Sequence, residues 1–284
     1  MFPDSTVGSV RNIEVSDLQP DGVHLITIYS PALHGRGDFS VFAPSGIEKL
    51  VSVPLVVLLH GVYASHWAWF FNGAAHRTAD NLIRGRRIRP MLLVAPSDGL
   101  YGDGSGYLRH SGCDYESWIV KDVLESVSKT FPCADRKSPT FIAGLSMGGY
   151  GALRLGAKHS GVFRAISAHS AITRIEEISS FVSDPFPFGQ IPPDEKDLIY
   201  WFEKNRCALP ALRFDCGIND PLLGGNRRLH LELTRREIPH SYFEFEGGHD
   251  WSYWRAHLSS TLIFFEELLR ASDTTPPESP ELSI

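Results

Sequence analysis

Ser146 stands in the run "GLSMGGYGA", with Gly144 two residues before it and Gly148 two residues after. This is the pattern G-x-S-x-G, and its spacing has a steric reason. A serine held on a sharp turn between a strand and a helix brings the residues at −2 and +2 together, and only glycine lets that turn close. The turn presents the hydroxyl above the sheet, and the following helix points its N-terminal N–H groups and positive dipole end at the reacting centre. A hydroxyl is a weak nucleophile until a base takes its proton. "EGGHDWSYW" supplies a candidate base, His249, just after the last expected strand, where two glycines let the chain turn. His257 competes for the role but falls inside the final helical pattern. An acid is needed to hold the imidazole. "LRFDCGINDPLL" offers Asp220, in a loop after a strand, ahead of Asp215, which falls in or at the edge of the strand itself. Asp220 would fix the histidine tautomer and stabilise its charged form. It can also be read more simply, as a helix cap. An oxyanion needs two preorganised N–H donors. Met147, directly after the serine, provides one. Val62, in the "HGVY" loop that follows the apolar run "VVLL", provides the other. His60 in that loop is expected to shape it rather than to move protons.

These residues all end apolar runs. "VPLVVLLHG", "RPMLLVAPSDG", "PTFIAGLS", "VFRAISAHSA", "PALRFDCGIND" and "HSYFEFEGGHD" each break into Gly, Asp, Ser or His at the C-terminal end. Continuous apolar runs of this length are what strands of a parallel sheet, buried on both faces, look like. The runs "GVHLITIYSPA" and "DFSVFAP" near the start read as antiparallel strands. Helical patterns fall between the runs, and "YESWIVKDVLESVSKTF" spaces Trp118, Ile119, Val123 and Val127 on one face. The alternation predicts an α/β fold with a mostly parallel central sheet flanked by helices, spanning residues 1–270 as a single domain. In such sheets ligands bind beyond the C-terminal strand ends, where the candidate residues lie. Two stretches break the alternation. Residues 173–205, rich in proline and aromatics, read as a short insertion over the sheet edge, a candidate lid or substrate wall. Residues 271–284 read as a disordered acidic tail.

With 284 residues, 43% apolar and 21% charged, the chain is long enough for a sizeable core and ordinary for a soluble globular protein. A net charge of −6 without a basic block argues against nucleic acid as a partner. No signal-peptide pattern or membrane-length apolar run is read, and a cytoplasmic location is expected. Cys113, Cys133, Cys207 and Cys216 match no zinc spacing and are expected to be reduced thiols. "SDGLYGDGSG" places Asp98 and Asp103 in a Gly-rich loop without the ligand ladder of a calcium loop, so no metal or cofactor is expected. Among the aromatics near the candidate residues, Tyr63 and Trp251 are the expected substrate-wall residues, because they flank the oxyanion loop and the base.

The stretches "LLHGVYASHWAW", "SDGLYGDGSGY", "DYESWIVKDVLESV", "FIAGLSMGGYGAL", "CGINDPLL" and "GGHDWSYWRAHL" resemble the esterase D family of α/β-hydrolases, over roughly residues 53–269. That family includes S-formylglutathione hydrolases, tributyrin-type esterases, feruloyl and acetyl-xylan esterases and mycolyltransferases. The first loop, "HGVYAS", looks closer to the tributyrin-type branch than to S-formylglutathione hydrolases, and residues 173–205 have no family counterpart. The resemblance implies the α/β-hydrolase fold, Ser146 as nucleophile, Asp220 as acid and His249 as base, and oxyanion donors at Val62 and Met147. It implies a serine carboxylesterase acting on small acyl, aromatic or sugar esters. An acyltransferase using the same three residues, or a binding protein that has lost catalysis, are the alternatives.

Overall fold

The alternating in-and-out direction of side chains along a strand decides where this chain puts its apolar runs. Val57 and Leu59 of one strand, Leu92 and Val94 of its neighbour and Ile142 of a third enter one core cluster. Their sequence neighbours Val56, Leu58, Leu93, Ala95, Phe141 and Ala143 enter a second cluster on the opposite face. A run that must be apolar on both faces is therefore an interior strand with a layer of helices on each side.

The structure, a computed structural model, describes residues 9–16, 20–99, 102–182 and 188–274. The strands are β1 (Arg11–Val15), β2 (Val23–Ser30), β3 (Gly35–Phe42), β4 (Leu55–Leu59), β5 (Leu92–Pro96), β6 (Arg109–His110), β7 (Cys113–Asp114), β8 (Thr140–Leu145), β9 (Ala165–His169), β10 (Ala211–Gly217) and β11 (Ser241–Phe245). Among the described residues, nine of them form one sheet in the order β1-β2-β3-β5-β4-β8-β9-β10-β11, while β6 and β7 pair as a small hairpin. The pairs β1–β2, β2–β3 and β3–β5 are antiparallel, and every pairing from β5 to β11 is parallel. The α/β-hydrolase architecture expected from the sequence is the one observed. The strand β1 and the β6–β7 hairpin were not expected. Each is short, and β1 is largely exposed, so neither shows an apolar alternation.

The helices are α1 (Ala68–Phe71), α2 (Ala75–Arg84), α3 (Tyr115–Ser117), α4 (Leu124–Thr130), α5 (Met147–Lys158), α6 (Pro193–Lys196), α7 (Leu198–Lys204), α8 (Leu223–Arg235) and α9 (Trp251–Thr274). α3 and α4 are joined by a π-helical stretch, Trp118–Val123, through which Trp118, Ile119 and Val123 remain fully buried. Asp114 caps this helix by accepting the Ser117 N–H at 2.9 Å. α9 continues to Thr274, so residues 271–274 of the expected tail are helical, and 275–284 lie outside the described residues.

The described residues of the 173–205 segment pack on α5, over the middle of the sheet, and not at its edge. Tyr150 donates its hydroxyl to Lys196 O at 2.9 Å, and Asn205 Nδ2 donates to Ala157 O at 2.7 Å. Arg154, 1% exposed, lies between Glu116 (2.7 Å) and Glu195 (2.5 Å) and also donates to the Glu195 carbonyl. Burial alone would raise the Glu116 carboxyl. The His159 hydrogen bond and the Arg154 and Lys158 charges outweigh burial and hold it well below the usual range. A cation so enclosed stays buried only when paired, and its partner on the segment is therefore a fixed point of the fold. β4 leads to β5 on one side and β8 lies on the other, so the strand order reverses between β4 and β8. The loops after these two strands open the crevice that such a reversal creates.

Candidate active site

Ser146 follows β8 directly and precedes α5. Its backbone sits at φ 54° and ψ −119°, a conformation that a residue with a Cβ adopts only under strain. The glycines around it are obligatory. A Cβ on Gly144 would lie 2.0 Å from Gly148 O, and one on Gly148 would lie 2.2 Å from Leu59 O. Strain of this kind costs about 1–3 kcal/mol, which one or two fully buried side chains of the β8 kind offset at about 1.5–3 kcal/mol each. The turn is also pinned. Ser146 N–H donates to His169 O at 3.0 Å, and its carbonyl accepts from Tyr150 and Ile172 N–H, both at 3.1 Å.

The His249 loop is brought to the serine by the ends of β10 and β11. Ile218 N–H donates to Phe245 O at 2.9 Å and Asn219 N–H to Gly247 O at 3.0 Å. A Cβ on Gly217 would lie 2.4 Å from Gly247 O, so the loops carrying Asp220 and His249 touch only because Gly217 has none. His249 Nε2 lies 3.0 Å from Ser146 Oγ. Its Nδ1 lies 2.9 Å from Asp220 Oδ2 and 3.1 Å from Oδ1. Asp220, whose side chain is fully buried, also accepts the Leu222 N–H at 2.8 Å. An ionised carboxylate only accepts, so Nδ1 carries the proton and Nε2 is left to accept from the serine hydroxyl. A cavity of ≈ 330 Å³ opens over these atoms, walled by Gly61, Val62, Leu145, Phe181, Trp251 and Trp254. A larger groove of ≈ 700 Å³ lies between described residues of the 173–205 segment and α8, apart from Ser146 and His249, and its Arg228 and Arg236 pair with carboxylates.

A sequence profile of the Esterase family, described as "Putative esterase", matches residues 30–265. The chain belongs to this family. The esterase is 30% identical over 235 residues to the acetyl esterase of Caldicellulosiruptor saccharolyticus, spanning 76% of this chain and 83% of that one. In structure it is similar to a ferulic acid esterase, with a TM-score of 0.76 and 28% identity over 90% of this chain and 99% of the other. It shares its fold with the S-formylglutathione hydrolase of Staphylococcus aureus at a TM-score of 0.70 and 18% identity, over 89% and 99% of the two chains. The protein is a carboxylic ester hydrolase.

The sequence-nominated residues of the esterase fall as follows. Ser146, Asp220 and His249 form the hydrogen-bonded chain just described. Val62 walls the cavity, and Met147 is the first residue of α5, where helix N–H groups have no intrahelical acceptor. The loop carrying Val62 is held from several directions. His60 Nδ1 donates to Gly61 O at 2.7 Å, and its Nε2 accepts Asp98 N–H at 3.2 Å, so this imidazole shapes the loop. Tyr107 donates its hydroxyl to His60 O at 3.0 Å. A Cβ on Gly61 would meet Ser146 Cβ at 3.2 Å, which shows how closely the loop approaches the serine. Trp251 lies in the cavity wall, whereas Tyr63 is 61% exposed and is not among the residues that line it.

The alternatives are elsewhere. His257 stacks on Phe245 at 4.4 Å, and Asp215 bonds His169. Asp98 accepts the Ser105 N–H at 2.8 Å, and no group of three His, Cys, Asp or Glu among the described residues could hold a metal. All four cysteines are free. Among the cavity residues that sequence reasoning missed are Phe181 and Asp250. Phe181 stacks on His249, and Asp250 caps α9 by accepting the Ser252 and Tyr253 N–H groups. The cap was readable as an acidic residue just before a helical pattern. Phe181 had no such signal.

Proposed function

We propose that this esterase is a serine carboxylesterase that hydrolyses small acyl or aromatic esters through an acyl-enzyme on Ser146. The observation that carries the reading is the chain Asp220–His249–Ser146, with 2.9 Å and 3.0 Å links, opening onto a cavity walled mainly by apolar and aromatic side chains. Ser146 Oγ attacks the ester carbonyl as His249 Nε2 takes its proton. The oxygen that becomes negative is met by the N–H groups of Met147 and Val62. Collapse of the adduct breaks the bond to the alcohol oxygen, which takes the proton back from His249. Water repeats the path and releases the acid. Asp220 keeps the imidazole in the required tautomer and stabilises it when charged. The apolar wall suits an uncharged group, in keeping with the names of the acetyl and ferulic acid esterases that the chain resembles. Among the described residues no helix is long and apolar enough to cross a membrane. Four free thiols suit a reducing, cytoplasmic compartment.

Hydrolysis of p-nitrophenyl acetate and butyrate, together with labelling by a fluorophosphonate probe, tests the reading. Ser146→Ala is expected to lose rate by a factor on the order of 10⁴–10⁶ and to lose the label entirely. Equal turnover by the two proteins would reject Ser146 as the nucleophile. A folded wild type that neither labels nor turns over would mark a binding protein instead.

A further inference from the structure

The imidazole of His249 has an aromatic ring on two sides. Phe181 stacks on its face, with centroids 4.9 Å and planes 30° apart, and Trp254 meets it edge-on at 5.1 Å and 87°. Phe181 also lines the cavity. It belongs to the segment after β9, and its neighbours Ile175, Ile178 and Val182 are buried in the core cluster that includes α5 residues such as Leu153 and Leu155. The ring is thus part of a packed wall, with one side on the base and one side on the cavity.

The chemistry gives that side of the cavity a meaning. In the proposed mechanism His249 Nε2 returns its proton to the oxygen of the departing alcohol. That oxygen has to come within about 2.6–3.2 Å of Nε2. The group it carries then lies against the imidazole, and so against Phe181. The acyl carbon and its oxyanion lie instead between Ser146 and the Gly61–Val62 loop. The second step reverses the first, so whatever attacks the acyl-enzyme enters where the alcohol left. We propose that Phe181 selects the alcohol half of the ester and, by the same contact, favours water over bulkier acceptors in the second step. This rests on the serine-esterase reading above.

When an alcohol does attack, its O–H proton passes to His249 Nε2 as its oxygen bonds to the acyl carbon. The bond from that carbon to Ser146 Oγ breaks, and Oγ takes the proton from His249. The products are a new ester and free serine. With water as the acceptor the same bookkeeping yields the acid.

Two substrate series separate the halves of the ester. Ethyl, butyl and benzyl acetate vary the alcohol at a fixed acyl group, and p-nitrophenyl acetate, butyrate and octanoate vary the acyl group at a fixed alcohol. Phe181→Ala is expected to raise the benzyl-to-ethyl ratio of kcat/KM by about 10-fold, the effect of opening an apolar pocket, and to leave the octanoate-to-acetate ratio of the acyl series where it is in the wild type, whatever the change in absolute rate. With p-nitrophenyl acetate as donor and benzyl alcohol as acceptor, the benzyl acetate formed per acetate is expected to rise. Phe181→Leu is expected to fall between wild type and Phe181→Ala, and Phe181→Trp to lower the benzyl-to-ethyl ratio. The last two decide the matter if the alanine variant does not fold. An unchanged alcohol series, or an acyl series that moves as far, overturns the assignment. Fluorophosphonate labelling of Ser146 in the same variants shows whether the underlying mechanism still stands; loss of labelling in the wild type would overturn that mechanism instead.

Discussion

Among the described residues, two histidine–aspartate pairs are hydrogen-bonded through Nδ1, built alike and placed differently. His249 Nδ1 lies 2.9 Å from Asp220, and its Nε2 lies 3.0 Å from the hydroxyl of Ser146. His169 Nδ1 lies 2.9 Å from Asp215, and its Nε2 lies 2.9 Å from the hydroxyl of Thr261. Bond for bond, the second pair is also a carboxylate, an imidazole and a hydroxyl in line. The surroundings separate them. The His249 side chain is 15% exposed and faces the cavity, while both side chains of the His169 pair are fully buried. Ser146 is held out on a strained turn at the start of α5, whereas Thr261 is inside α9 and is also hydrogen-bonded to Ser167 Oγ at 2.6 Å. Asp215 further bonds Arg213 at 3.0 Å and Tyr253 at 2.9 Å. A hydroxyl that already has two partners and no open side has nowhere to receive a substrate. On the proposed reading, the constellation that can react is the one beside which the fold leaves open space.

Substituting each acid in turn is the sharpest way to break this comparison. Asp220→Asn preserves shape but favours the wrong imidazole tautomer, and kcat is expected to fall by about 10⁴, with a melting temperature close to wild type. Asp215→Asn removes the carboxylate that Arg213 is hydrogen-bonded to in a buried site, and the expected loss is stability, about 3–5 kcal/mol, with kcat per folded molecule largely retained. Urea titration and active-site titration of the same samples give both quantities. If the two variants exchanged behaviours, the division between a reacting and a structural pair would be wrong.

The pH dependence sharpens it further. Burial alone would raise the Asp215 carboxyl. The neighbouring His169 and Arg213, with the hydrogen bonds from His169 and Tyr253, outweigh burial and hold it below the ordinary range. A carboxyl depressed in the folded state stabilises the protein above its unfolded value near 3.9, and that contribution is lost as pH falls through the folded value. The gap in urea midpoint between wild type and Asp215→Asn is therefore expected to be full at neutral pH and to narrow below about pH 4. A gap that stays constant down to acid unfolding would mean that Asp215 is not held charged by these partners.

The two pairs also differ in how far they could be read in the sequence. Ser146 was legible because the steric demand of its turn is written in residues two positions away, Gly144 and Gly148. His249 and Asp220 were legible because both follow strand-like runs at the end of the sheet where such residues gather. The parallel order of the interior strands followed from apolar runs that must bury both faces. Asp215 was legible only as a competitor for the acid. What separates it from Asp220 is its register opposite His169 on the neighbouring strand, 46 residues away, a pairing that no local pattern encodes. Phe181 was illegible for a related reason. Its segment has no sustained period, and its partner His249 is far along the chain, so only the packing of Ile175, Ile178 and Val182 decides where the ring points.

The smallest expected effect tests the hydroxyl end of the structural pair. Thr261→Val keeps the branched shape that packs inside α9 and removes only the oxygen. In the wild type Nδ1 of His169 donates to Asp215, so Nε2 accepts the Thr261 proton and the Thr261 oxygen accepts from Ser167. The variant therefore leaves an acceptor on His169 and a donor on Ser167 without partners in a fully buried site. Each unmade bond costs about 1–3 kcal/mol, and relaxation of the neighbours recovers part of it. A net loss near 2 kcal/mol corresponds to roughly 3–4 °C in melting temperature for a domain of this size. Activity toward p-nitrophenyl acetate is expected to be unchanged, because His169 reaches Ser146 only through its backbone carbonyl. A fall in kcat comparable with that of Asp220→Asn, at a normal melting temperature, would show that the buried pair takes part in the reaction and that burial had been given too much weight.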